Sequence, residues 1–122
     1  MSNQNKPKQV RNMIKLNKKY IFHIPQYKYE NNELISIDTE NIIEEFIAIL
    51  NENGYTSAYL TQAKSYYKNR SYTETLITLF TSQENRPEEL FRQFFRKNND
   101  ILKQEAFAYE CKDEMFIENL DY

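Results

Sequence analysis

One glycine, one cysteine, one histidine and no tryptophan occur in 122 residues, and each scarcity rules something out. With Gly54 alone, no glycine-rich loop can wrap backbone amides around a phosphate, so nucleotide-binding loops of that kind are excluded. With Cys111 alone, no disulfide can form within the chain, and it does not read as a stapled secreted domain. His23 and Cys111 cannot supply a usual zinc set, so no metal site is predicted. No serine stands in a nucleophile-elbow context. The longest purely apolar run, Phe46–Leu50, is far too short to span a bilayer. The first residues are too polar and too charged for a signal peptide. These absences give a cytoplasmic protein with no membrane segment, no cofactor and no catalytic residue that can be named.

Charge is unevenly spread. Residues 1–19 carry Lys6, Lys8, Arg11, Lys15, Lys18 and Lys19 and no acid, against a net charge of −2 for the whole. A basic, flexible arm over 1–18 is expected ahead of an acidic body over 19–122, which is one domain's length. Such an arm would seek anions, nucleic acid among them. The Lys, Asn, Ile and Tyr bias is what an AT-rich coding sequence produces, and it carries no functional reading.

What is present is amphipathic. Within 85–102, Leu90, Phe91, Phe94, Phe95, Ile101 and Leu102 form one helical stripe. Pro87 suits the first turn, and Glu88 and Glu89 complement the helix dipole. Glu88 and Arg92 are spaced to pair. An earlier helix over 39–53 repeats the stripe with Ile42, Ile43, Phe46, Ile47 and Leu50. It opens on Asp38 or Thr39 and closes at Gly54. Asn98 falls in the apolar arc of the later helix, which predicts a break or bend there. Lys19–Ile24 reads as a strand closed by Pro25, and Leu34–Ile37 as a short edge strand. Residues 56–67 and 71–81 read as a long hairpin turning at Lys68-Asn69-Arg70. Ala106–Cys111 is a strand, and Met115–Glu118 could add another. The order predicts an α+β fold: a ferredoxin-like βαββαβ antiparallel sheet with two helices on one face.

That layout leaves one sheet face open, and the hairpin is rich in tyrosine. Tyr59, Tyr66, Tyr67 and Tyr72, with Arg70, are candidate ligand- or partner-binding residues. His23 joins them as the one side chain that titrates near neutrality. No partner for it can be named from the sequence, and a core or rim histidine is the plainer reading. The pairs Glu44/Glu45 and Glu88/Glu89 read as solvated helix surface. Base stacking on the open face is disfavoured, because SYTETLITLF lacks the glycine and alternating aromatics of an RNA-recognition strand. An acidic body also repels phosphate.

GYTSAYLTQAKSYYKNRSYTETLITLF, followed by the later helix and QEAFAYE, resembles small uncharacterised ferredoxin-like domains of bacterial and phage type, over about residues 19–118. The resemblance lies in strand order, not in a catalytic motif. The dimeric αβ-barrel monooxygenases share such topology, so it implies a homodimer packed sheet to sheet. The expected function is a non-enzymatic interaction or accessory protein that self-associates through its open face. Two alternatives stand beside it. One is a ligand-binding domain or enzyme with a cleft near His23, between helices and sheet. The other is a nucleic-acid or anion binder using the basic arm.

Overall fold

The computed structural model describes residues 12–120. Strand β1 (Lys18–Pro25) is followed by a small hairpin, β2 (Tyr27–Glu30) and β3 (Glu33–Ser36), then helix α1 (Glu40–Glu52). The long hairpin β4 (Ser57–Tyr67) and β5 (Arg70–Thr81) leads into helix α2 (Pro87–Leu102), and β6 (Ala106–Cys111) and β7 (Glu114–Asn119) close the chain. Five strands form one sheet in the order β4-β5-β1-β6-β7, every pairing antiparallel, while β2 and β3 pair only with each other. The architecture is α+β, but it is not a simple βαββαβ chain: a hairpin intervenes between β1 and α1, and β7 extends the sheet edge.

Three two-residue turns set the registers. Asn31-Asn32, Lys68-Asn69 and Lys112-Asp113 all have positive φ at both positions, the backbone that matches the twist of two hairpin strands. Asparagine and aspartate tolerate that conformation better than most side chains. Arg70, expected in the turn, is already the first residue of β5.

Alternation along the strands divides the sheet into two faces. Tyr20, Phe22 and Ile24 of β1, Ile77 and Leu79 of β5, and Phe107 and Tyr109 of β6 join Ile42, Ile43, Phe46 and Leu50 of α1 and Phe91, Phe94, Phe95 and Leu102 of α2 in one core. Phe91 sits at its centre, its ring meeting those of Phe22, Phe46 and Phe107 at centroid distances of 4.8, 5.2 and 5.6 Å. Both helices therefore lie on one face. Their stripes put them there, with the exception of Ile101, which is exposed.

The caps follow local chemistry. Asp38 Oδ1 accepts the Glu40 amide at 3.0 Å. Gly54 takes φ +86° just past α1, and Tyr55 N–H donates to Leu50 O at 2.9 Å, the left-handed ending that a glycine permits. Helix α2 runs through Asn98 rather than breaking. The Asn98 amide donates to Phe94 O and to Glu45 Oε2 of α1, both at 3.0 Å. A buried amide with both its donors placed has no reason to open the helix. Two further pairings differ from expectation. Arg92 reaches Glu89 and Glu118, not Glu88. Glu88 is buried beside Arg86 instead of lying on a solvated face.

The expected arm overlaps the sheet by one residue, since Lys18 opens β1. Lys18 Nζ donates to Gln83 O at 2.9 Å and pairs with Glu84, and Lys19 lies over the Phe80 ring. Both belong to the central strand of the sheet. Lys15 is exposed, and Lys6, Lys8 and Arg11 lie outside the described residues. No described helix is long and apolar enough to cross a membrane.

Candidate functional site

His23 follows Phe22 in β1, so its side chain falls on the sheet face away from the helices. The register sets its company. His23 stands opposite Leu76 of β5, Pro25 opposite Glu74, and Ile21 opposite Glu110 of β6. The ring lies between two carboxylates. Its Nδ1 is 3.2 Å from Glu74 Oε2, and its Nε2 is 2.7 Å from Glu110 Oε2. Ser65 of β4 donates its hydroxyl to the same Glu74 oxygen. Four residues from four strands thus meet on the face that no helix covers.

Both ring nitrogens face acceptors, and a neutral imidazole has only one N–H. The doubly protonated ring satisfies both contacts. Burial alone would push the His23 pKa down, but the hydrogen bonds to Glu74 and Glu110 outweigh it and raise it above the ordinary value. Glu74 moves the opposite way. Burial favours its neutral form, yet the bonds from His23 and Ser65 hold the carboxyl below its ordinary value. The cluster sets two carboxyl groups against a single imidazole, so acidic groups outnumber basic ones. The side chains of His23 and Glu74 are 10% and 11% exposed, that of Glu110 33%, so Glu110 is the member solvent or a ligand can reach.

The arrangement does not suit a metal ion. The two carboxylates sit at opposite edges of the ring and do not converge, and no group of three His, Cys, Asp or Glu among the described residues is placed to hold one.

The predicted tyrosines divide between the faces. Tyr59 and Tyr67 share the face of His23, by alternation along β4 from Ser65, and both are exposed. Tyr66 points to the other side and is exposed as well. Tyr72 packs its ring on Tyr27 at 4.7 Å, and Arg70 covers Tyr29 at the same distance; both belong to the junction of the two hairpins. His23 therefore does not line a cleft between helices and sheet, since the sheet itself stands between His23 and the helices. Glu74, Glu110 and Ser65 are the residues the sequence reading missed. Only the acidic character of Glu74, within an otherwise apolar and hydroxylic strand, could have pointed to one of them.

No protein-family model matches the chain, and no curated protein matches it. Two solved structures share its fold. One is a phage SAM lyase in the apo state, with a TM-score of 0.53 and 14% identity over 90% of this chain and 97% of that one. The other is a phage SAM lyase in complex with S-methyl-5′-thioadenosine, with a TM-score of 0.52 and 11% identity over 88% and 95%. The expectation of a non-enzymatic accessory protein is corrected by this likeness: both chains that match over nearly their whole length are SAM lyases, which are enzymes. The error has a physical source. His23 looked isolated because its partners lie 51 and 87 residues away in the chain.

Proposed function

We propose that the chain is a small-molecule enzyme, a lyase acting on S-adenosylmethionine at the sheet face that carries His23, Glu74 and Glu110. The likeness to the lyase chains across nine-tenths of both lengths carries the reading. The chemistry of the face supports it. The substrate holds two positive charges, a sulfonium and an α-ammonium, and the cluster is rich in acidic groups. Tyr59 and Tyr67 offer aromatic faces nearby for the adenine ring. With β2, β3 and β7 set aside, the order β4-β5-β1-β6 supports a ferredoxin-like core beneath the site.

Electrostatics assigns the carboxylates a binding role. The sulfonium must lose its charge as the bond to carbon breaks, so a carboxylate held on sulfur would stabilise the substrate more than the transition state. The ammonium keeps its charge throughout. Glu110, partly open, is the residue we assign to it. Each carboxylate is already engaged with a ring nitrogen of His23. His23, Glu74 and Glu110 are thus engaged with one another, which favours a cleavage that moves no proton. In such a step the sulfur–Cγ bond breaks and its electron pair stays on sulfur, giving the neutral thioether S-methyl-5′-thioadenosine. The substrate's own carboxylate oxygen forms the new bond to Cγ, giving a lactone.

The test is incubation with S-adenosylmethionine, following both products by liquid chromatography and mass spectrometry. Thioadenosine and lactone should form faster than in protein-free buffer. Glu110→Gln should raise KM roughly tenfold, the equivalent of one lost contact of about 1.4 kcal/mol, with a smaller change in kcat. No product above the buffer control overturns the activity, and an unchanged KM overturns the placement. The homodimer expected from the aromatic hairpin stands as a further proposal. It is supported by Met115 and Ile117, exposed on the edge strand β7; light scattering at about 10 μM, where stable dimers persist, checks it.

A further inference from the structure

A cleft of about 220 Å³ opens where the small hairpin meets the far end of the long one. Gln26, Leu34 and Ser36 line one side, and Lys64, Ser71 and Thr73 the other, with Tyr27 and Tyr72 completing the wall. At about 30 Å³ per water, its volume is that of roughly seven waters, enough for a ligand of metabolite size. Lys64 stands directly opposite Thr73 in the β4–β5 ladder. Ser71 and Thr73 lie two apart on β5, so they share the sheet face of Lys64 and not that of Glu74.

The polar groups here are hydroxyls, one amide and one ammonium. No carboxylate lines the cleft, although Asp and Glu outnumber Lys and Arg in the chain by 18 to 16. Arg70 and Lys68 stand at the same end of the hairpin, spread over the rings of Tyr29 and Tyr67. Lys64 lies 5.8 Å from the Tyr66 ring centroid and has no carboxylate partner among the described ion pairs. The cleft's walls are held by backbone bonds, Gln26 N–H to Thr73 O at 3.2 Å and Ile37 N–H to Gln26 O at 3.1 Å. These bonds and the Tyr27–Tyr72 ring contact at 4.7 Å set how the two hairpins meet at the cleft.

We propose that this cleft is a second binding site, for a small ligand bearing an oxyanion, carboxylate or phosphate. Lys64 supplies the charge, and the hydroxyls of Ser36, Ser71 and Thr73 donate hydrogen bonds to the anionic oxygens. The leucine and tyrosine walls accept the ligand's carbon frame. An ammonium beside three hydroxyl donors matches an oxyanion in both charge and hydrogen-bond sense. The site's charge preference is opposite to that of the His23 face, and the two do not compete for one ligand.

The experiment is an amide NMR titration of the full chain with inorganic phosphate and, separately, with acetate, at constant ionic strength. Saturable shifts at Ser36, Ser71 and Thr73 are expected for one or both anions, and the stronger of the two identifies the oxyanion. Lys64→Met should weaken binding at least tenfold, and Lys64→Arg should retain most of it. Tyr59→Ala, on the opposite face, should leave it unchanged. Absence of saturable shifts with both anions overturns the proposal. So does equal binding by Lys64→Met, whose spectrum also reports whether that variant is folded.

Discussion

His23 and Glu110 meet at 2.7 Å across adjacent strands, on a sheet face that no helix covers. The contact exists because β1 and β6 are antiparallel with Ile21 opposite Glu110, which leaves His23 diagonal to the carboxylate. Glu74 approaches the same ring from β5 at the other edge. The imidazole thus ties three neighbouring strands together at mid-sheet, and the candidate site and part of the sheet's cohesion are one set of contacts.

The stability of the fold should depend on pH through this cluster. The native pKa of His23 is raised, so its contribution is whole below the free imidazole value of 6.5 and is lost as pH climbs through the native value. The native pKa of Glu74 is lowered, so its contribution is whole above 4.5 and is lost as pH falls through the native value. Both are complete between those limits. Urea denaturation across pH 3–9 should show a plateau there with a fall on each side. His23→Gln should flatten the alkaline limb and lower the plateau by about 1.5–3 kcal/mol, the scale of hydrogen bonds to charged groups. An alkaline limb unchanged in that variant would assign the dependence to other groups.

Phe91 is fully buried and touches aromatic rings from both helices and two strands. Phe91→Ala should cost about 3–5 kcal/mol, because the surrounding rings cannot all close on the space left. Phe91→Leu should cost less than half of that. Equilibrium denaturation measures both, and a loss below about 1 kcal/mol for alanine would mean that the core rearranges around the gap.

The helices were legible because a helix states its burial locally. A stripe of Phe91, Phe94 and Phe95 with Pro87 ahead of it needs no distant information, and Gly54 marked the end of α1 by itself. The long hairpin was legible from its β-branched and aromatic runs. Its facing was not, because Ala58, Leu60 and Gln62 alternate with Tyr59, Thr61 and Ala63 without a clear apolar side. The ladder settles it: Leu60 pairs with the core residue Ile77, yet stays half exposed because β4 is an edge strand. The site depended on that same register. One-residue slippage of β5 against β1 would send Glu74 to the helix side and dissolve the cluster. Local pattern does not fix the pairing of strands separated by a helix, so His23 read as solitary. Asn98 misled for a related reason, its partner Glu45 being on the other helix.

Gly54→Ala should destabilise by about 1 kcal/mol or more. The position needs φ +86°, which costs a residue with a Cβ roughly that much. A Cβ there would also come within 2.7 Å of Gln83 Nε2, whose amide donates to Gly54 O at 2.8 Å. The Gln83 side chain can swing away only by giving up that bond. Pairing the change with Gln83→Ala separates the two causes: the backbone cost should persist in the double variant, and full recovery would place the whole effect on the steric contact.

Arg92 fastens the terminal strand to the helix layer. Its Nε donates to Glu118 Oε1 at 2.8 Å, its Nη2 to the other oxygen of the same carboxylate, and a third contact reaches Glu89. β7 has only β6 as a strand neighbour, and Met115 and Ile117 lie exposed on its open side, so this clamp adds a direct tie from β7 to α2. Arg92→Met keeps most of the apolar stem and removes the clamp. Global stability should fall by about 1–2 kcal/mol, the lower part of the range for charged hydrogen bonds because the pair is partly solvated. The bond from Arg92 is the leading cause that holds the Glu118 carboxyl below its ordinary value. That stabilisation is therefore present above pH 4.5 and lost as pH falls through the native value. Hydrogen exchange should quicken at the β7 amides by more than the global loss accounts for, while β1 and β5 amides follow the global change alone. Equal acceleration across all strands would show that β7 is held by its ladder to β6 and not by Arg92.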